Sequence, residues 1–433
     1  MSGRRLLAYF AAWLFLLLPI HSEAAANITG RSEILALLFS LFMLLALLKK
    51  PAEPRGWRFL KNYWPAGLWL FLALGSKETA IAALPVAAVM IYGREKKLWR
   101  REVFLKYLPA GLWLAAAAVF YFGLRLLVLG RPYFLTAETS LVENPLQFVP
   151  AGPRIFTALS VIALYVKKSL WPVGLCSDYS YNQIPALDNF FNPGVLAGLA
   201  ILLAAAAGIF FFIRRAPLLS LASAFFLFGF LPAANLVFPT GTIMGERLAY
   251  FPSLGLSLLL AYCLYRLFNG KRTAVKYIVI SIFAGLTIFY AAIGFLRAGD
   301  WLTEKRLFNS AAACAPNSVL SLSNLGAAYY LEGDLPAAKR QLLAAQKIYD
   351  GYPKGINNLG LVYWKEGDNA KARQLFLKAL DLKFPYYGAY ENLALVSLEE
   401  GKIDEARDWL IKLYAGNGAL ADAYIENYLR AAQ

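Results

Sequence analysis

The sequence predicts an all-α protein in two parts, a polytopic membrane helix bundle followed by an α-solenoid of short helical repeats. Three observations carry that reading. Hydrophobic residues make up 59% of the 433, and the mean hydropathy is +0.50, too apolar for a soluble globular chain. The apolar residues form repeated long runs up to about Ala298, whereas the chain from Gly299 onward is amphipathic. Charge divides at the same point: residues 1–298 carry 28 Lys and Arg against 11 Asp and Glu, and residues 299–433 carry 15 against 16. The basic excess lies in short loops between apolar runs, which makes it a topology signal and excludes a nucleic-acid footprint.

A helix needs roughly 20 apolar residues to cross a bilayer. Candidate spans are Leu6–Ile20, Ile34–Leu48, Trp64–Tyr92, Tyr107–Leu129, Pro193–Ile213, Leu218–Phe238, Tyr250–Phe268 and Tyr277–Leu296. The first run is followed by a span partner, so it reads as a span and not as a cleavable signal. Eighteen of the 28 basic residues fall in Arg4–Arg5, Lys49–Lys61, Arg94–Lys106, Arg214–Arg215 and Lys271–Lys276, which places those segments in the cytoplasm. Trp64–Tyr92 then has cytoplasmic loops at both ends and must enter and return, turning at Gly75-Ser76-Lys77-Glu78. Residues 130–193 form an outer loop, in which Arg154–Leu175, interrupted by Lys167 and Lys168, reads as a helix lying on or dipping into the membrane. The count is nine crossings, with eight of the 11 acidic residues of the membrane part facing outward: Glu23, Glu33, Glu78, Glu138, Glu143, Asp178, Asp188 and Glu246.

Residues 299–433 repeat every 34 residues: Asn324-Leu-Gly, Asn358-Leu-Gly and Asn392-Leu-Ala; Gly333, Gly367 and Gly401; Ala338, Ala372 and Ala406. Tyr329 and Tyr363 keep the phase, as do Leu342, Phe376 and Leu410. This resembles the tetratricopeptide repeat, a helix pair with a glycine turn and small residues where the helices touch. The expected layout is a half-repeat at 301–316, repeats at about 319–352, 353–386 and 387–420, and a capping helix at 421–433, folding independently of the membrane domain 1–298. Such a stack offers a groove for an extended polypeptide.

Four outward clusters could carry chemistry: His21–Glu33, Gly75–Glu78, Cys176–Pro185 and Phe238–Tyr250. Each has an ordinary reading as well. Asp178 with Tyr179 and Tyr181 could be part of an interfacial aromatic belt, and Glu246-Arg247 a local ion pair at a helix start. Arg125, inside the outer end of a span, is harder to place without a partner or a function. A phosphate at that depth would be such a partner. His21 is the only histidine, so nothing supports a histidine metal site, and the three cysteines have no CxxC spacing.

Taken together, these stretches resemble a known family. The succession of His21-x-Glu23-Ala24 with Gly30-Arg31-x-Glu33, Leu72-Ala73-Leu74-x-Ser76-Lys77-Glu78, Arg125-Leu126, Ser177-Asp178-Tyr179-Ser180-Tyr181-x-Gln183-Ile184-Pro185 and Phe238-Pro239-x-Gly241-Thr242 leading to Glu246-Arg247, ahead of tetratricopeptide repeats, is similar to the transmembrane and tetratricopeptide repeat-containing O-mannosyltransferases and their bacterial relatives. The resemblance implies a GT-C type membrane glycosyltransferase. It would move a mannose-like hexose from a polyprenyl-phosphate donor to protein hydroxyls on the periplasmic or lumenal face. It further implies a multi-pass protein of a bacterial inner membrane or the endoplasmic reticulum, with its repeats on that face presenting the acceptor polypeptide. No cofactor beyond the polyprenyl-phosphate sugar is indicated; no residue cluster marks a metal site, and the metal requirement is left open.

On that reading Glu23, Glu78, Asp178 and Glu246 are the candidate catalytic carboxylates, placed to orient sugar or acceptor. Arg125, Arg247 and Lys77 are candidates for the donor phosphate, and His21, Arg31, Tyr179 and Gln183 for orienting substrate. Two departures stand out. Relatives carry a further span and an acidic outer loop ahead of the segment matching Leu6–Ile20, and that loop supplies the carboxylate assigned to catalysis; nine crossings are two short of their eleven. Leu18 also stands where relatives often have the His of a His-Pro pair. The alternative, from a different class, is a non-catalytic membrane scaffold recruiting partners through its repeats, in which the outer acids and bases pair with one another.

Overall fold

A computed structural model describes residues 3–48, 62–95, 101–130 and 139–432. The basic Lys49–Lys61 loop, residues 96–100 of the next basic segment, and Glu138 with the rest of 131–138 lie outside the described residues. All regular structure among the described residues is helical, as the apolar runs and the 34-residue period predict. The chain divides into two compact units.

The first unit comprises Met1–Thr139, Leu146–Ser177 and Ala186–Leu302. Helix α1 (Gly3–Leu17) stops because Leu18 precedes Pro19 and is held at φ −58°, ψ 114°, outside the helical region. A 3₁₀ turn at Pro19–His21 and the short α2 (Ser22–Ala26) follow at a bend of 53°. The apolar helix α3 (Arg31–Leu48) comes next. The Trp64–Tyr92 run forms two arms, α4 (Trp64–Ser76) and α5 (Ala83–Arg94), of 13 and 12 residues. Between them Lys77 is extended and Glu78–Ala82 forms a 3₁₀ turn.

Among the described residues six further α-helices complete the unit: α6 (Arg101–Leu129), α7 (Ala151–Leu170), α8 (Pro193–Phe212), α9 (Pro217–Phe230), α10 (Tyr250–Phe268) and α11 (Thr273–Asp300). On α7 the buried residues Thr157, Ala158, Val161, Ile162, Tyr165 and Ser169 recur at helical spacing along one face, while Lys168 donates to the Val173 carbonyl beyond its C-terminus at 2.9 Å.

Among the described residues five helical segments are long and apolar enough to cross a membrane: Arg31–Leu48, Val103–Leu129, Pro193–Phe212, Glu246–Phe268 and Thr273–Asp300. The bent α1–α2 pair would make a sixth. The protein is therefore a multi-pass membrane protein. The remaining arms α4, α5 and α9 are each shorter than a full span. One span differs from expectation. Leu218–Phe238 is helical only as far as Phe230, because Pro232 has no N–H to continue the ladder; the apolar residues beyond it form a loop. Helices pack as α3 on α4, α4 on α6, α8 on α7 and α9, and α10 on α1 and α9. The α9–α10 contact is backbone to backbone: a Cβ on Gly255 would lie 2.4 Å from the Ala222 carbonyl oxygen.

The second unit comprises Thr303–Gln433 together with Ser140–Pro145 and Asp178–Pro185, two short stretches of the segment read as the outer loop. After α12 (Glu304–Cys314), three antiparallel pairs follow: α13 (Val319–Leu331) with α14 (Leu335–Ile348), α15 (Pro353–Lys365) with α16 (Asn369–Asp381), and α17 (Gly388–Glu399) with α18 (Ile403–Leu413). Helix α19 (Gly418–Ala432) ends the stack. Gly333, Gly367 and Gly401 turn each pair at φ +83°, +86° and +73°, a region costly for any side chain with a Cβ. Ala338, Ala372 and Ala406 are fully buried where the helices touch.

Within this unit Val142 and Tyr181 pack against Val319 and Leu322 of the first full repeat. The Val319 N–H donates to the Tyr181 carbonyl and the Asn182 N–H to the Asn317 carbonyl, both at 2.8 Å. The first repeat therefore has part of its core supplied by stretches from far earlier in the chain.

Candidate functional site

Residues that the sequence scatters over more than 200 positions converge in the first unit, where helices begin or end. Glu23 lies on α2, Glu33 in the first turn of α3, Lys77 and Glu78 at the break between α4 and α5, Arg125 near the end of α6, and Arg247 in the 3₁₀ turn Glu246–Ala249 that leads into α10. Three carboxylate–cation pairs join them. Glu23 accepts from the Arg247 backbone N–H at 2.9 Å and from its guanidinium. Glu33 pairs with Lys77 at 3.6 Å and accepts from the Thr79 hydroxyl at 3.4 Å. Glu78 pairs with Arg125 at 3.6 Å, and Arg125 donates to the Tyr121 hydroxyl at 2.9 Å.

Burial orders these groups. Glu23 and Glu33 have side chains 1% and 4% exposed, whereas Arg247 and Lys77 are 28% and 29% exposed. The two carboxylates thus sit behind the two cations and hold them, while the cationic ends face a cavity of about 260 Å³. Lys77, Glu78, Thr79 and Arg247 form one side of that cavity; Pro232, Ala233 and the Phe238–Thr242 loop form the other.

That loop is the continuation of the shortened α9, and one buried side chain shapes it. Asn235 donates to the Thr242 carbonyl at 3.0 Å and accepts from the Thr240 N–H at 2.7 Å and the Thr240 hydroxyl at 3.1 Å. Gln147 donates to the Thr240 carbonyl at 3.1 Å. Next to Arg247, the Tyr165 phenol bridges both backbone groups of Gly245, at 2.9 Å and 3.0 Å. Burial raises that phenol well above its ordinary range, so it keeps the proton it donates.

The remaining candidates are placed elsewhere. Glu246 is fully buried and faces away from the cavity; it accepts from the Cys176 N–H at 2.5 Å and lies 3.9 Å from Arg297, which also pairs with Asp300 at 2.8 Å. Asp178, Tyr179 and Gln183 belong to the second unit. There Asp178 accepts from the Ser180 N–H at 3.1 Å and from the hydroxyls of Ser180, Ser318 and Ser321, which spends its carboxylate on ordering the start of the repeats. Tyr179 is buried, and Gln183 accepts from the Asn317 N–H at 3.3 Å.

His21 sits between the rings of Phe15 and Tyr250 with Nε2 2.7 Å from the Ser253 hydroxyl. Ser253 also donates to the Tyr250 carbonyl at 2.8 Å, and the His21 ring acts as a packed wedge between the two aromatic rings. Arg31 is exposed beside the Ala25 carbonyl. Among the four candidate carboxylates, then, Glu78 is the one that lines the cavity.

Sequence reasoning did not single out Asn235 or Tyr165, and it took in Thr240 and Thr242 as members of the Phe238–Tyr250 cluster without giving either a role. A polar Asn235 between Pro232 and Pro239 within an apolar run was the available signal, hidden because the run reads as a continuous span. Among the described residues no group of three or more His, Cys, Asp or Glu could hold a metal ion.

These features define a class: a multi-pass, all-helical membrane protein with a charged cavity and a tetratricopeptide-repeat array. The tetratricopeptide repeat model matches residues 353–386. Relatives cover about three quarters of the chain. Protein O-mannosyl-transferase F38B6.6 of Caenorhabditis elegans is 29% identical over 321 residues, which are 74% of this chain and 43% of that protein. Protein O-mannosyl-transferase TMTC4 of Homo sapiens is 28% identical over 377 residues, 78% of this chain and 49% of that protein. Protein O-mannosyl-transferase Tmtc3 of Drosophila melanogaster is 26% identical over 366 residues, 76% and 39% respectively. The chain is similar over about three quarters of its length to proteins named protein O-mannosyl-transferases, the relationship its motifs suggest. It spans less than half the length of these curated relatives.

Proposed function

We propose that the chain is the donor-binding part of a membrane glycosyltransferase that moves mannose from a polyprenyl phosphate to a protein hydroxyl on the exported face of the membrane. The observation that carries the proposal is the pair of cations, Lys77 and Arg247, presented to one cavity beside the hydroxyl-bearing loop Thr240–Thr242 in a chain similar to proteins named O-mannosyl-transferases. A phosphate diester needs this environment: a planar guanidinium fork, a second positive charge and hydroxyl donors. In the reaction the acceptor oxygen bonds to the anomeric carbon as the carbon–phosphate oxygen bond breaks. The acceptor proton passes to a carboxylate, and the polyprenyl phosphate leaves on the cations. Glu78 is the carboxylate of this chain that we assign to face the sugar, with Arg125 holding it. The polypeptide acceptor is assigned to the repeats.

The test is binding of polyprenyl-phosphate mannose to the chain in nanodiscs. Arg247→Ala and Lys77→Ala should each weaken it by roughly 10-fold or more, the loss expected for one charge-assisted contact. Arg247→Lys should recover only part of that loss. Unchanged affinity in well-folded variants would remove both residues from the site. A second reading, a non-catalytic scaffold, draws support from the pairing of each candidate cation with a carboxylate, Glu23–Arg247, Glu33–Lys77 and Glu78–Arg125. Absence of saturable donor binding by the folded wild-type chain would favour that reading.

A further inference from the structure

We infer that Gly241 is the residue that admits and reads the sugar of the donor. The inference rests on the donor class proposed above and adds what selects its sugar. Gly241 lies in the cavity wall that faces Lys77, Glu78 and Arg247. Nothing in the fold asks for a glycine at this position. Its φ is outside the left-handed region, so an ordinary residue could adopt its backbone. A Cβ built on it would meet no atom nearer than the Thr139 methyl, at 4.0 Å, whereas a Cβ on Gly198 or Gly255 would run into a neighbouring helix backbone. What the missing side chain leaves at 241 is open space at the cavity wall, where a ligand can approach the main chain.

That main chain is held still and left unpaired. Before it, Thr240 is fixed by Asn235, which accepts from its N–H at 2.7 Å, and by Gln147, which donates to its carbonyl at 3.1 Å. After it, the Thr242 carbonyl accepts from Asn235 at 3.0 Å. Between these fixed points Gly241 is exposed, and neither its N–H nor its carbonyl has a hydrogen-bond partner among the described residues. A donor and an acceptor set side by side by their neighbours, with no side chain over them, suit a ligand rich in hydroxyls, since each hydroxyl can both give and accept. A hexose ring is such a ligand; a phosphate diester offers acceptors alone. The cations therefore take the phosphate, Glu78 faces the sugar from one wall, and Gly241 meets it from the other. A site that hydrogen-bonds a substrate hydroxyl also rejects analogues lacking it, which makes residue 241 a determinant of sugar specificity.

The test compares two ligands, polyprenyl-phosphate mannose and bare polyprenyl phosphate, on the full chain in nanodiscs of phosphatidylethanolamine and phosphatidylglycerol. Gly241→Ala and Gly241→Val keep the N–H and the carbonyl and add one and three carbons. Affinity for the mannose-loaded donor should fall by roughly 3-fold in the first and roughly 10-fold or more in the second, the scale of forcing a group into filled space, while affinity for the bare phosphate stays within about 2-fold. On the wild-type chain, the mannose-loaded donor should slow amide exchange across residues 240–242 by roughly 10-fold or more, and the bare phosphate should leave it unchanged. If the variants misfold, that exchange contrast decides alone. Equal losses for both ligands in Gly241→Val would mean that residue 241 acts on the phosphate or on the loop, and would overturn the assignment while leaving the donor reading standing. Unchanged affinity for both ligands in a folded Gly241→Val protein would do the same. No saturable binding of either ligand by the folded wild-type chain would overturn both readings.

Discussion

Replacing Glu23 by Ala should cost this protein more than any other single change in the charged cluster. The Glu23 side chain is 1% exposed, and its two oxygens take the backbone N–H and the guanidinium of Arg247. Removing it strands a backbone donor and a cation that is only 28% exposed. Breaking a buried pair by deleting one partner costs about 3–5 kcal/mol. The partial exposure of Arg247 moves the expectation to about 2–4 kcal/mol. Glu23→Gln keeps an acceptor for the N–H and loses the charge, so about 1–2 kcal/mol is expected. Denaturant unfolding in detergent, run as a double-mutant cycle with Arg247→Ala, should give a coupling energy of about 2 kcal/mol or more. The Glu23→Leu, Arg247→Met double variant should regain much of the lost stability while failing to bind donor, since the charge pair is exchanged for apolar volume. A Glu23→Ala protein within roughly 0.5 kcal/mol of the parent, or a coupling energy near zero, would refute the claim that a buried carboxylate aims Arg247.

Asp178→Ala should loosen the start of the repeats, where three serine hydroxyls converge on its carboxylate; about 1–3 kcal/mol is expected, read as faster amide exchange on α13 and not as a loss of donor affinity. Asn235→Gly keeps the left-handed backbone at φ +58° and removes the amide clasp, whereas Asn235→Ala adds strain; proteolysis within 238–242 should rise in both and more in Ala, and equal resistance to the parent would dismiss the clasp. Hydrogen bonds from Lys402 and Arg373 hold the Glu400 carboxyl at about 2, below its ordinary 4.5. Its contribution to folding is therefore complete above about pH 4.5 and fades as the pH falls toward 2, a surface effect on the order of 0.5 kcal/mol, and Glu400→Gln should flatten that part of the acid-unfolding curve. Reporter fusions after Gly299 and after Gln433 should both give an exported signal; a cytoplasmic signal from both would invert the topology and move the cavity to the other face.

The parts of this protein legible in one dimension are those governed by local periodicity and transfer free energy. Apolar runs of sufficient length mark α3, α6, α8, α10 and α11, and a 34-residue period with Gly333, Gly367 and Gly401 in phase marks the helix pairs, because each repeat is a local unit. The break at Lys77-Glu78 was visible for the same reason, since neither arm beside it is long enough to cross alone. Composition could not say that α9 stops at Phe230, because the residues after Pro232 remain as apolar as a span; only their packing as a loop around Asn235 separates the two.

Nor could it assign partners to the charges. Glu23 and Arg247 lie 224 residues apart, and their meeting depends on how α2 and the turn before α10 are placed by helix packing. Packing likewise sends Glu246 into the interior and turns its neighbour Arg247 toward the cavity, although the two are adjacent in the chain. Asp178 shows the limit most clearly. Its surroundings in the sequence mark it as a loop acid near a membrane, yet three serine hydroxyls, two of them 140 and 143 residues downstream, determine what it does. Local pattern marks the long apolar helices and the repeat pairs, though not where α9 ends. The tertiary structure decided which ionisable groups are buried and which face the cavity, because burial and pairing depend on contacts between segments that no local pattern encodes.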